Sequence, residues 1–542
     1  MNLTPWLALT VVTLLCIPKT KGADNARGNI SIEELRSQRQ AAQNRTRRVI
    51  FNNDGNEPVY LCNDTTPGEL LRHRTTPLLG SHVDSIFYCT WSSGFGLFTH
   101  DTKVGRVFAT KEGMFAKNMA PALIAAGTDP LRVMTDFGRT HGIEIFWSFR
   151  VNDTHDGSPA DYGPIMFAAN QLKRDHPEWL IGSTTQKPKF GAWSAVDFAR
   201  AEVRELAFKY VEEVCRNYPV DGVELDFFRH PVLFKRAAQA GEACNDEERG
   251  VLTDLIQRIR RMSEREGMKR GRPILMAVRV PDSTEYCRAI GIDIEAWLAN
   301  GLVDLMVVGG YFQLNEWSRS VALGRKHGVK VYPSLDESRL RDAGAKQLRS
   351  TVAAYRGRAA AARQAGADGL YLFNSFNPRD QIWRELGSDA ALATLDKDYF
   401  ASVLGRGAAA GGAYPHSGFI QVSQLNPAQP ETLSAGVAAT TRFFVGDDFA
   451  RVDSRAGPDL SLRLQFSPVV ESDEVTVKLN GSTLKGGEAA AGNWIAFTVP
   501  RDVVRPGANE TSVTLAAGSG IASWTDLHFA VRFGTPAASV AK

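Results

Sequence analysis

Cysteine is scarce in this chain, with six residues in 542. None stands in the close paired spacing of a zinc site, so no structural metal is expected. Net charge is also nearly absent, at +3 over the whole length. That gives no electrostatic reason to expect nucleic acid or a membrane surface as partner. After the first twenty residues no apolar run is long enough to span a bilayer. Internal repeats and long low-complexity tracts are missing, which excludes solenoids and arrays. No cofactor fingerprint is found.

The N-terminus differs from the rest. Leu7 to Pro18 is apolar and uncharged, and Lys19-Thr20-Lys21-Gly22-Ala23 follows. This pattern predicts a secretory signal over 1–23 and a secreted or periplasmic protein. An oxidising compartment permits disulfides. Cys62–Cys89 and Cys244–Cys287 are expected to pair across neighbouring loops, with Cys215 free on its helix. A polar, helix-prone arm is expected over 24–47.

Eight apolar runs then end in polar loops: Val49–Asn53, Asp84–Thr90, Ile143–Arg150, Asp221–Phe228, Ile274–Val280, Val303–Gly310, Val329–Asp336 and Gly369–Ser375. Amphipathic segments separate most of them, among them Pro130–His141, Glu247–Glu266 and Ala345–Gln364. Strand and helix alternating eight times is the count of a (β/α)8 TIM barrel, expected over 48–402. The long interval 152–198 predicts an elaborated loop over the barrel mouth. A Gly- and Ala-rich linker is expected over 403–430. Short alternating runs over 431–542, with Asn480-Gly481 as a hairpin turn, predict a jelly-roll-like β-sandwich.

In such barrels the active site lies at the C-terminal ends of the strands. Side chains alternate along a strand, so the polar set on each strand should face the interior. The inward sets then end in Arg150, Asp226, Arg279 and Asp336, one from each of four strands. Two carboxylates on different strands suit glycosidic bond cleavage: one donates a proton, the other attacks the anomeric carbon or activates water. Asp226 between two arginines is expected to be the ionised base or nucleophile. Asp336 or Glu337 is expected to be the acid, with Asp282 and Glu316 as rivals. Glu224, one layer deeper, is expected to pair with Arg279 or Arg150. Arg150, Arg229 and Arg279 suit an anionic glycan, sulfated or uronate-bearing. His155, Tyr311, Trp91 and Asn374 complete the expected substrate-binding set, and Trp193 is a further ring for stacking on sugars.

The stretch Glu202-Val203-Arg204 followed by Tyr218-Pro219-Val220-Asp221-Gly222-Val223-Glu224-Leu225-Asp226-Phe227-Phe228 resembles the bacterial glycosyl-hydrolase-like family ten. The later segment Ile294-Glu295-Ala296-Trp297-Leu298-Ala299-Asn300-Gly301-Leu302-Val303-Asp304 is similar to that family as well. The resemblance spans roughly 48–375 and implies a TIM barrel and a carbohydrate substrate. Two departures matter. Phe227 stands where the family often has a second Asp, and Phe228 stands where the chitinase pattern has its catalytic Glu. The leading expectation is a glycoside hydrolase. The alternatives are a non-catalytic carbohydrate-binding protein on a degenerate barrel, and a polysaccharide lyase with Tyr311 or His155 as base and Arg150 neutralising a uronate.

Overall fold

A computed structural model describes residues 29–405, 412, 414–451, 457–517 and 520–534. The expected signal over 1–23 and part of the expected linker lie outside these residues. No helix among the described residues is long and apolar enough to cross a membrane.

Each of the eight apolar runs contains a strand: β1 (Val49–Asn53), β2 (Val83–Tyr88), β3 (Glu144–Arg150), β4 (Gly222–Asp226), β5 (Leu275–Val280), β6 (Leu305–Val308), β7 (Lys330–Pro333) and β8 (Leu370–Leu372). They pair in parallel in the order β8-β1-β2-β3-β4-β5-β6-β7. The bridge Ser334–Tyr371 and the bond from Leu335 N–H to the Tyr371 carbonyl (2.8 Å) close the cylinder. The fold is therefore a (β/α)8 barrel. The helices used below are α1 (Ile32–Gln43), α2 (Pro130–His141), α3 (Ala201–Asn217), α4 (Asp246–Arg270), α5 (Trp317–Lys326) and α6 (Val352–Gln364). The expected single segment Ala345–Gln364 is two helices, because Thr351 Oγ1 accepts the Ala354 N–H (3.1 Å) and starts a new one.

The expected lead-in arm is a docked helix. Ser31 caps α1, Leu35 is buried, and Arg39 donates to Glu264 on α4 (2.8 Å). Beyond α1, Arg47 enters the barrel floor fully buried. It binds both oxygens of Glu144 (2.7 and 2.8 Å), and Ser85 donates to the same carboxylate (2.6 Å). Above this polar floor Phe87 and Phe146 stack at 4.4 Å. Gly222 is required beside them, since a Cβ there would lie 2.2 Å from the Phe146 ring.

The C-terminal strands form two antiparallel sheets. Strand β9 (Lys397–Phe400) pairs with β18 (Ala522–Arg532), so the chain joins the second body before the expected linker begins. The strands between are β10 (Glu431–Leu433), β11 (Ala438–Val445), β12 (Asp459–Ser467), β13 (Val475–Leu479), β14 (Ser482–Thr483), β15 (Glu488–Ala490), β16 (Trp494–Thr498) and β17 (Gly507–Leu515). One sheet runs β9-β18-β12-β16-β15 with β10 also on β18; the other runs β11-β17-β13-β14. Burial alternates along β12 and β13, as a half-buried sheet face requires. Asn480 and Gly481 take positive φ (49° and 87°) in the β13–β14 turn, the conformation that sequence pair favours. Arg349, beside α6, locks the two bodies together through a buried bidentate pair with Asp526 on β18 (2.9 and 2.6 Å).

The expected disulfides are absent. All five described cysteines are free and buried. Cys62 sits with Leu70 and Val133 outside the barrel wall, a cluster that does not include Cys89. Cys244 lies against Phe234 and Gly291, while the Cys287 thiol faces the Pro281 carbonyl (3.4 Å). Neighbouring loops do not by themselves aim two sulfurs at each other. Burial pushes the Cys62 and Cys215 thiols up to about 12.

The interdomain pair yields a prediction. Asp526→Ala strands the buried Arg349 guanidinium and should destabilise the protein by about 3–5 kcal/mol. Urea denaturation of wild type and variant checks this; an unchanged midpoint would show the lock to be dispensable.

Candidate functional site

The register places the expected charges side by side. Arg150 on β3 is the Cα partner of Asp226 on β4, which in turn partners Arg279 on β5. One layer below, Ser148, Glu224 and Ala277 form the corresponding row.

Arg279 is fully buried at the centre of the lower tier. Its Nη1 donates to Asp226 Oδ2 (3.4 Å) and its Nη2 to both Asp336 oxygens (2.9 and 3.2 Å). The Phe373 ring lies 4.0 Å from the guanidinium carbon. Gly310 permits this arrangement: a Cβ there would sit 2.3 Å from the Phe228 ring and 2.9 Å from Arg279 Nη2. Burial works against the Arg279 charge, but Asp336 and then Asp226 outweigh it and raise its pKa. Asp226 Oδ1 accepts the N–H groups of Phe228 (2.9 Å) and Arg229 (3.0 Å), so the chain after β4 folds around its own carboxylate. Glu224 is not the partner of either arginine. Its Oε2 accepts from Ser148 Oγ and Tyr371 Oη (3.1 Å), and its Oε1 has no hydrogen-bond partner. Burial first, and then the Asp226 charge, push the Glu224 carboxyl up to about 8.

A second tier lies above, nearer solvent. Arg150 pairs with Asp54, which follows β1, and stands 3.8 Å from Asp153. Asp153 is wholly buried and accepts from His155 Nδ1 (2.7 Å) and from the Gly94 and His155 N–H groups (3.0 Å each). With Nδ1 turned to Asp153, the other ring nitrogen of His155 meets Arg229 Nη2 at 2.8 Å. Arg229 Nη1 reaches Tyr311 Oη at 2.5 Å, and Arg339 covers the Tyr311 ring at 3.7 Å. Burial would raise the Asp54 and Asp153 carboxyls. Arg150 foremost for Asp54, and His155 foremost for Asp153, hold both below the usual carboxylate range. His155 keeps 24% of its side chain exposed and Asp54 18%, whereas Asp226, Arg279 and Asp336 show 1% or less. The upper tier is thus what solvent meets first.

Other expected residues fall elsewhere. Trp91 is turned into a cluster with Val59, Phe108, Phe115 and Met166, stacked 5.5 Å from Phe108. The cause is a run of left-handed backbone: Thr90, Trp91, Ser92 and Phe95 all have positive φ. The same turn brings Ser92 Oγ to the Arg150 N–H (3.1 Å) and the Gly94 N–H to Asp153. Asn374 is half-buried just past β8, at φ 58°, a conformation Asn tolerates. Glu337 is 44% exposed beside Arg339. Asp282 spends its oxygens on the N–H groups of Leu314 and Asn315 (3.1 Å), and burial raises it to about 6. Trp193 packs against Phe167 at 4.9 Å.

Asp54 and Asp153 were not among the expected site residues. Asn52 and Asp54 share a parity at the end of β1, so the alternation rule applied to that strand points to Asp54. Among the described residues, one group has metal-ligand geometry: Asp153, His155 and His230. It does not suit a cation. Arg229 is 2.8 Å from His155 and Arg150 is 3.8 Å from Asp153, and His230 Nδ1 already accepts the Thr154 N–H (3.3 Å).

The Glu224 carboxyl predicts a pH dependence. Its folded pKa of about 8 lies above the unfolded carboxylate value, so the folded state holds the extra proton. Its contribution to stability is therefore fully present at low pH and is lost as pH rises from about 4.5 to 8. Asp282 has the same sign but finishes near 6. Glu224→Gln should flatten the slope between pH 6 and 8 in denaturation midpoints; an unaltered slope would refute this protonation state.

No family model matches the sequence, and no curated protein is similar to it. Solved structures match the chain at low identity and low structural similarity. A cycloisomaltooligosaccharide glucanotransferase from Paenibacillus sp. is 9% identical over 91% of this chain, with a TM-score of 0.32. An alpha-galactosidase from Geobacillus stearothermophilus is 11% identical over 93%, with a TM-score of 0.36. This chain spans 58% of the length of each. The glycoside hydrolase domain of PgaB from Bordetella bronchiseptica is 12% identical over 64% of this chain and 99% of its own, with a TM-score of 0.39. At these values the likeness assigns no residue a role.

Proposed function

We propose that the protein is a secreted glycoside hydrolase acting on an anionic poly- or oligosaccharide. The observation that carries the reading is the convergence at one end of the barrel. Asp226 and Asp336, from different strands, flank a single buried guanidinium, and both oxygens of Asp336 are committed to it. Asp226, held by Arg279 and two backbone N–H groups, is the base or nucleophile. Glu337, adjoining Asp336 and open to solvent, is the better placed acid of the two expected. The Arg229–His155–Tyr311 tier, with Arg150 beneath it, meets the substrate's negative charge. The apolar run Leu7 to Pro18 supports the export part of this reading.

One observation favours a second reading, a polysaccharide lyase. Asp153 orients His155 with its second nitrogen at the exposed tier beside a guanidinium, which suits proton abstraction next to a uronate carboxylate.

A panel of neutral and acidic polysaccharides separates the two. Hydrolysis releases reducing ends without ultraviolet absorbance, and elimination yields unsaturated, absorbing products. On any substrate so found, Asp226→Asn should lower turnover on the order of a thousandfold or more with the fold retained. A variant that melts earlier but turns over normally per folded molecule would make Asp226 a structural ion-pair partner instead. Release of neither product from any polymer would overturn both readings.

A further inference from the structure

A cavity of about 360 Å³ lies where the two bodies meet. Its walls come from the loop before α5, one face of α6, the segment from β9 to Gly405, the stretch 422–424 and the edge of the second sheet. That volume is at the lower end of small-molecule sites, which run from about 300 to 1,000 Å³. It suits a ligand of one or two rings.

The lining carries unmet polar valence. Arg358 on α6 is 93% buried, and no carboxylate lies within ion-pair distance of it among the described residues. One nitrogen, Nη1, donates to the Asp336 carbonyl (2.7 Å), which leaves the rest of the fork unused. Burial lowers its pKa, and the nearby Tyr355 and Asp336 do not offset this. The Tyr355 ring lies 5.5 Å from the guanidinium carbon, but a buried cation without an anion remains costly. Gln424 supplies the opposite need: its Nε2 donates to the Val422 and Ser423 carbonyls, while its Oε1 is buried without any donor. Two half-buried rings, Trp317 and Phe444, line the space and stack on no other ring among the described residues. The acids present do not fill the gap. Asp398 is held by Arg532 (2.6 Å) and His528 (2.8 Å), and Glu316 stands half-exposed at the head of α5.

A fork of donors, a lone acceptor and two unstacked rings lining one cavity suit a ring bearing one carboxylate and several hydroxyls. We propose that this cavity is a second binding site for a small acidic saccharide, one uronate unit or a short oligomer, with Arg358 binding the carboxylate and Gln424 a hydroxyl. The site does not depend on the chemistry assigned to the barrel mouth. It does share a side chain with it, because Arg358 also holds the loop that carries Asp336.

Calorimetric titration of the full chain with glucuronate, and with glucose as the neutral control, tests the proposal. Glucuronate should bind at least tenfold more tightly than glucose. Arg358→Gln should weaken glucuronate binding about tenfold or more, the usual scale for losing a charge-assisted pair. Ala361→Phe, which fills the cavity from α6, should abolish the same binding in a protein of unchanged melting temperature, and so covers the case of an Arg358 variant that fails to fold. Asp226→Asn should leave it intact. Absence of glucuronate binding, equal affinity for glucose, or binding that survives Ala361→Phe but not Asp226→Asn would each overturn the proposal, the last by placing the sugar at the barrel mouth.

Discussion

A guanidinium with no exposed surface fixes the upper half of this barrel. Arg279 leaves β5 and must find its counter-charge inside the protein. It does so on both sides, at Asp226 on the neighbouring β4 and at Asp336 beyond β7, with the Phe373 ring from beyond β8 beside it. Four stretches of the barrel rim, from β4, β5, β7 and β8, are thereby held at one point. Apolar packing sets the distance between strands. This pair of contacts sets how the polar ends of the strands face each other. Partial loss would be worse than none, since a buried charge with one partner removed keeps its desolvation cost and loses the attraction that offsets it.

Negative charge is layered above and below that point. Glu224 beneath holds a proton near neutrality, because burial and the neighbouring Asp226 charge disfavour its ionised form. Asp54 and Asp153 above are held ionised by Arg150, His155 and the histidine's neighbours. Carboxyl groups within a few residues of strand ends thus take opposite protonation states according to the charges that face them. The anions of the upper tier are already matched by cations, and the protonated acid is kept out of solvent.

Much of this was legible in the sequence. Alternation along single strands gave the inward set Arg150, Asp226, Arg279 and Asp336, since the rule needs only one strand at a time. Pair assignments were less legible because they depend on reach between strands. Arg150 turns to Asp54 and Asp153 rather than Asp226, and Glu224 turns to Ser148 and Tyr371 rather than to an arginine. Trp91 shows a different limit: a residue three places past a strand points wherever its loop backbone sends it, and here left-handed φ values send it inward. The cysteines show the same limit, because loops that meet at one rim do not thereby align their Cβ–S vectors. Strand β9 was passed over because Lys397-Asp398-Tyr399-Phe400 has charge at its head and no length to display a period.

That short strand governs how the chain could be divided. Lys397–Phe400 follows the barrel directly, yet it lies in the sheet formed by residues at the far end of the sequence. A backbone cut placed anywhere from 405 to 430 would therefore yield two fragments that interlock, the barrel fragment donating an edge strand and the Arg349 side chain, the other supplying β18 and Asp526. Such halves are the raw material of a split protein, able to reassemble on mixing, whereas a barrel ended at Asp396 would leave the second sheet with a bare edge on β18 to pair with whatever strand it next encounters.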